Sequence, residues 1–293
     1  MQPLNYSFSP ISTQPRMDTK EYLKKIPFLK SIISYIRIIL FPAHKPPTPG
    51  RTELLSRIKS ISIDSVPSII EFLGATRMDP YFVKVGANDG LTGDPCGDIF
   101  LRDRRWKGLL IEPVNYCAAK LMEIYADQSR FTIEQSAIGQ KIARRPFFFM
   151  AQEAKEHIQE LPDWYDQLGS FSRTHIEKHF DIDVSRFIIE KQVNVFPLSV
   201  ILERRGCISP VLLHIDVEGF DYEVLKSLNF RKSHPDMILI EHKHLSASSL
   251  FSLIELLQSN RYLLFNTGSD LAALSGSACS ILDSTPQLSA MLA

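Results

Sequence analysis

From Arg51 onward the chain alternates between short apolar runs and longer stretches whose apolar positions recur every three or four residues. Leu54, Ile58, Ile61 and Ile63, then Val66, Ile69, Ile70 and Leu73, have helical spacing. They lead into Tyr81-Phe-Val-Lys-Val85, whose aromatic and β-branched residues suit a buried strand. The alternation then predicts strands at 108–113, 131–137, 211–217, 237–241 and 262–265. Helices are expected near 98–105 and over 116–125, 199–205, 222–228 and 246–258. Leu271–Leu274 reads as an antiparallel edge strand. Strands alternating with helices are βαβ units, so the expected fold is α/β, a doubly wound and mostly parallel sheet. Residues 144–196 break the rhythm, with strand-like pieces at 146–150 and 187–196 around a polar and aromatic loop. They read as an insertion over the carboxyl rim, where loops shape specificity. Within it, Trp164, Tyr165, Phe171, His175 and His179 either contact an acceptor or pack the insertion itself.

The first fifty residues follow a different pattern and form an extension to the domain at 51–293. Residues 1–16 are polar and proline-bearing, which favours disorder. The run 22–42 is apolar but broken by Lys30 and Arg37, too interrupted for a membrane span. Two readings remain for it: a helix lying on a membrane surface with its lysines at the headgroups, or a helix packed on the domain or a partner subunit. Ala43-His-Lys-Pro-Pro-Thr-Pro-Gly50 is a linker.

Lys+Arg and Asp+Glu balance at 33 each. Zero net charge argues against nucleic acid as the main partner, since such binders carry a basic surplus. Cys96, Cys117, Cys207 and Cys279 are far apart and make no Cys-x-x-Cys pair. That spacing implies neither a disulfide framework nor a cysteine zinc site, and fits reduced thiols in the cytoplasm.

The candidate chemistry sits at strand ends. The strand at 81–85 runs into Gly86-Ala-Asn-Asp-Gly90, a glycine turn of the kind at which open α/β sheets bind nucleotide-like ligands. Its Gly-x-x-x-Gly spacing differs from the dinucleotide fingerprint and suits S-adenosylmethionine better; a nicotinamide-dependent oxidoreductase is the rival that lacks the third glycine. Glu112, ending Leu-Leu-Ile-Glu-Pro, is placed either to accept hydrogen bonds from ribose hydroxyls or to cap the next helix. Ser136-Ala-Ile-Gly139 leaves room for an adenine ring. In Val211-Leu-Leu-His-Ile-Asp-Val-Glu-Gly219, His214, Asp216 and Glu218 alternate and so share one face. His214 is either a satisfied core histidine or a cleft residue. Leu239-Ile-Glu-His-Lys-His244 adds titratable groups at the same rim. No metal site is read, because the acidic and histidine residues lack a recognisable ligand spacing, although Asp216, Glu218 and His242 could in principle meet.

Val85-Gly-Ala-Asn-Asp-Gly90, Gly108-Leu-Leu-Ile-Glu-Pro113, Ser136-Ala-Ile-Gly139, His214-Ile-Asp-Val-Glu-Gly219 and Ile240-Glu-His242 resemble, in order, the motifs of FkbM-type methyltransferases. The resemblance spans roughly residues 75–270. It implies a Rossmann-like class I methyltransferase fold, S-adenosylmethionine as cofactor, and methyl transfer to a hydroxyl of a sugar, glycan or polyketide-like molecule. By that likeness Gly86, Asn88 and Asp89 lie against the methionine part of the cofactor. Glu112 holds the ribose, Ser136 and Ala137 border the adenine, and Asp216 and Glu218 stand at the methyl-transfer end. Asp216 or His244 is the expected general base. Lys84 is the one departure, since an acidic residue is common two places before the first glycine. Either it points away, or Asp89 or Asp216 holds the cofactor's ammonium group. The rival class is a non-catalytic binding or scaffold protein that keeps the fold.

Overall fold

A computed structural model describes residues 49–284 apart from 128 and 208, so the expectations for residues 22–42 lie outside the described residues. In chain order the elements are α1 (Arg51–Ser56), β1 (Lys59–Ser60), α2 (Ser65–Ala75), β2 (Tyr81–Val85), α3 (Gly97–Arg102), β3 (Lys107–Ile111), α4 (Asn115–Ile124) and β4 (Phe131–Glu134). The insertion follows with β5 (Ala137–Ile138), β6 (Ala143–Met150), α5 (Ala154–His157), β7 (Gly169–Ser170), α6 (Arg173–Glu177) and β8 (Ile188–Phe196). The alternation then resumes as α7 (Leu198–Arg204), β9 (Leu212–Ile215), α8 (Asp221–Lys226), β10 (Met237–Glu241), α9 (Ala247–Ser259), β11 (Tyr262–Asn266), β12 (Asp270–Ser275) and α10 (Gly276–Asp283). Among the described residues no helix is long and apolar enough to cross a membrane.

The main sheet has the order β1-β11-β12-β10-β9-β2-β3-β4 and is parallel except for β12. β2 is central, its Val83 aligned with Leu109 on one side and Leu213 on the other. Period-two alternation splits the sheet between two cores. Val83, Val85, Leu109, Ile111, Leu213 and Ile215 face one of them; Phe82, Leu110, Leu212 and Leu239 face the other. The order reverses around β2 and β9, which opens a crevice at their carboxyl ends. The expected antiparallel strand is present as β12, seated between β10 and β11 near the margin formed by β1, two places in.

Three boundaries differ from expectation, each for a local reason. Residues 58–63 are not helical, because Lys59 and Ser60 pair with Phe265 and Asn266 at the sheet edge. The strand expected at 131–137 stops at Glu134, and Ala137–Ile138 instead pairs with β8. The strand expected at 211–217 stops at Ile215, because the Asp221 carboxylate accepts hydrogen bonds from the Val217 and Gly219 amides and turns the chain. The insertion builds its own sheet, β5-β8-β6-β7, with β6 and β8 antiparallel. Phe147, Phe149, Val193 and Val195 pack that sheet onto Val114 and Cys117 at the start of α4.

Candidate active site

A cavity of about 270 Å³ opens at the carboxyl ends of β2, β3 and β9. Gly86, Asn88, Glu112, Ser136, Ala137, Asp216 and Glu218 all line it, so seven of the anticipated residues converge. Asp89 and His244 do not line it.

Gly86 has φ +76°, and a Cβ there would stand 1.8 Å from the Asp216 carbonyl oxygen. The sequence reading gave this glycine to close ligand approach; the atom it must clear belongs to the protein itself. Asn88 takes a left-handed φ of 49° and donates its amide to Glu112 Oε2 at 2.9 Å. The Val114 amide donates to Glu112 Oε1 at 2.8 Å. Glu112 therefore caps the start of α4, one of the two roles the sequence left open, and also clamps the glycine turn, a role outside both. Burial pushes its carboxyl up to about 7, against the two amides that favour the charged form. Ser136 presents a buried hydroxyl without a hydrogen-bond partner among the described residues.

Asp89 turns inward on its own loop. Its Oδ1 accepts from the Leu91 and Thr92 amides and its Oδ2 from the Thr92 hydroxyl. The acid that reaches the cavity from this loop is Asp94, which the sequence reading missed. Lys84 points inward on the face it shares with His214, its neighbour in register across β2 and β9. Asp94 answers it with a carboxylate 2.5 Å from Lys84 Nζ, both side chains being almost fully buried. Burial alone would raise the Asp94 carboxyl, but the charge and hydrogen bond of Lys84, helped by the Cys96 amide, hold it below the usual range. Such a pair is stabilising chiefly in the sense that removing one partner strands a buried charge. A buried lysine in an apolar strand was the signal, since it demands a counter-ion nearby. The departure at position 84 is thus neutralised within the chain. His214 is buried yet lines the cavity, and its Nδ1 has no hydrogen-bond partner among the described residues, so it is a cleft residue and not a satisfied core histidine; burial and Lys84 pull it down to about 4, so it is neutral.

The acidic rim beyond β9 is crowded. Asp216 is open to the cleft, and among the described residues no amide or side chain hydrogen-bonds its carboxylate. The surrounding walls and neighbouring Glu218 raise its carboxyl to about 6. Asp221 and Glu241 are pushed up to about 8 and about 9, by burial first and by Asp216 next. Of Asp216, Asp221 and Glu241, Asp216 is the one ionised at neutral pH, and it faces the cavity with its carboxylate open to a ligand's proton.

Asp216, Glu218 and His242, which could in principle have met, do not, because His242 is turned away. That side chain is buried between the Arg51 guanidinium and the Asn266 amide oxygen. Glu218, at φ 55°, swings instead toward His175, His179 and His244. Of the insertion's aromatics, Phe171 lines the cavity while Trp164 stacks on Phe180 and Tyr165 is buried. Gln167, Gly169 and Ser170 complete the wall the insertion supplies.

An open sheet of this order, with its crevice at the glycine turn, is the architecture of a class I methyltransferase. The chain belongs to the FkbM methyltransferase family: the model of the "Methyltransferase FkbM domain" matches residues 84–264, more than half its length. Membership brings S-adenosylmethionine as the methyl donor. No curated protein matches the chain. Solved structures similar to it include a precorrin-6y C5,15-methyltransferase from Geobacter metallireducens, at 10% identity and a TM-score of 0.34, covering 75% of this chain and 95% of that one. A putative O-methyltransferase from Klebsiella pneumoniae shares 11% identity at a TM-score of 0.38, over 84% of this chain and 97% of that one. The Methanococcus jannaschii fibrillarin pre-rRNA processing protein shares 10% identity at a TM-score of 0.33, over 67% and 66%.

Proposed function

We propose that this methyltransferase alkylates a hydroxyl oxygen of a sugar, glycan or polyketide-like acceptor, with Asp216 as general base. The observation that carries the reading is the Asp216 carboxylate, which faces the cavity unpartnered and is poised near neutrality. An alcohol oxygen must shed its proton as it attacks, and a base poised near the working pH serves that need. His244, the other candidate base, faces Glu218 from outside the cavity lining and is assigned no proton transfer. The residues present fit the donor. Glu112 would take the ribose hydroxyls, and Ser136, with its unspent hydroxyl, and Ala137 would border the adenine. Gly86 and Asn88 would flank the methionine part. The donor supplies an electrophilic methyl group on a sulfonium; the chain supplies position, exclusion of water and a proton acceptor. Phe147, Phe171 and Phe220 give the cleft an apolar side against which a sugar ring or polyketide chain would lie.

Incubating the protein with isotopically labelled S-adenosylmethionine and pools of glycans, lipid-linked sugars and polyketides tests the reading. Label recovered as a methyl ether supports it; label recovered only on nitrogen or carbon overturns it.

Glu112 gives a pH prediction. Its raised carboxyl is largely protonated below about pH 7, and a protonated acid is a poorer acceptor for ribose hydroxyls. Donor affinity therefore rises with pH, about tenfold between pH 6 and 8. In the ligand-free protein the sign is opposite: stability from a raised carboxyl is complete below its ordinary value and is lost as pH climbs through about 7. Calorimetric titrations at several pH values check the first statement. Glu112→Gln should flatten the profile, and an unchanged slope in that variant contradicts the assignment.

A further inference from the structure

Four metal-ligating side chains meet where the insertion touches the carboxyl rim. His175 lies in α6 and His179 one turn further on, an i and i+4 pair that aims both rings the same way. Glu218 comes from the turn after β9, and His244 from the loop after β10. The Nε2 atoms of His244, His175 and His179 stand 3.4, 3.7 and 3.8 Å from Glu218 Oε2. One ligand atom from each of the four lies within 4.8 Å of all the others.

The two longer separations exceed hydrogen-bonding distance. Glu218 Oε2 and His175 Nε2 are buried and have no hydrogen-bond partner among the described residues. His179 Nδ1 lies 2.8 Å from the His175 carbonyl oxygen, which can only accept, so Nδ1 carries a proton. In the neutral ring Nε2 then turns a lone pair toward a carboxylate, an arrangement that repels unless a cation lies between them. An Nδ1–H to carbonyl hydrogen bond is also how metal-bound imidazoles are held in orientation.

We propose that His175, His179, Glu218 and His244 bind one divalent transition-metal ion, zinc being the best match. Tetrahedral bonds of about 2.0–2.1 Å set neighbouring ligand atoms roughly 3.3–3.4 Å apart. The three separations from Glu218 need to close by at most a few tenths of an ångström to meet that figure, whereas octahedral edges of roughly 2.9 Å lie further off. Three imidazoles and one carboxylate suit zinc, while magnesium and calcium prefer oxygen ligands throughout. With all four positions supplied by the chain, the site is closed and structural. It ties α6 to the turn after β9 and so fixes the wall of the cleft beside Asp216. The proposal does not depend on which acceptor is methylated.

The test strips the full-length protein with a chelator and titrates zinc chloride calorimetrically. The expected result is one equivalent of zinc bound per chain, with affinity reduced at least about a hundredfold in His179→Ala and unchanged in His157→Ala. Zinc should raise the melting temperature of the wild type and leave that of His179→Ala where it was. Cobalt(II) loading of the wild type decides the matter even if the variant does not fold: intense tetrahedral visible bands support the site. Weak octahedral bands overturn it, as would no stoichiometric zinc uptake by the wild type or equal affinity in a folded His179→Ala. A proton on one imidazole would then be what fills the gap.

Discussion

Gly86→Ala is expected to lose at least about 3 kcal/mol of stability and all donor binding. The new methyl would meet the Asp216 carbonyl oxygen at 1.8 Å, and neither backbone can retreat. On one side the Gly86 amide is bonded to the Ile111 carbonyl; on the other the Asp216 amide is bonded to the Val85 carbonyl. A left-handed φ adds roughly 1–3 kcal/mol for any residue with a Cβ. Gly93→Ala isolates that second contribution, because its φ is +73° but nothing lies within 4 Å of the added carbon. Urea denaturation of the two variants should therefore differ by several-fold in lost stability. Equal and small losses would show that the rim is more pliable than its hydrogen bonds imply.

Asp216→Asn is expected to lower kcat by 10² to 10⁴-fold while changing donor affinity far less. The amide keeps the size of the side chain and removes only the site that takes the proton. In the wild type, kcat at saturating donor should rise with pH through about 6 and then level, since the ionised form is the active one. Steady-state kinetics alongside donor titration distinguishes the roles. Parallel collapse of turnover and affinity would make Asp216 a ligand of the donor instead of a base.

Much of this site could be read along the chain because it sits at strand ends. The glycine turn, Glu112 and Ser136–Ala137 each follow an apolar run, and period-two strands bring such ends to one rim whatever the loops do. The acid nearest Lys84 could not be placed that way. Asp89 and Asp94 lie in the same loop, and the choice between them is made by local turn bonds that Asp89 satisfies at once with Leu91 and Thr92. Alternation also misled at Glu218, because the strand ends at Ile215 and the side chain leaves the face that its spacing assigned to it. The histidine cluster was hidden for a different reason. Its members come from the α6 region, the turn after β9 and the loop after β10, and the one local signal, the His175-x-x-x-His179 spacing, is too weak alone to mark a ligand set.

A crystal structure of the protein bound to S-adenosylhomocysteine tests the central claim most directly. The account predicts ribose hydroxyls on Glu112, adenine bordered by Ser136 and Ala137, and the sulfur facing Asp216 across the cleft. Nucleoside bound elsewhere, or Glu112 still engaged only with the Asn88 and Val114 amides, would contradict it.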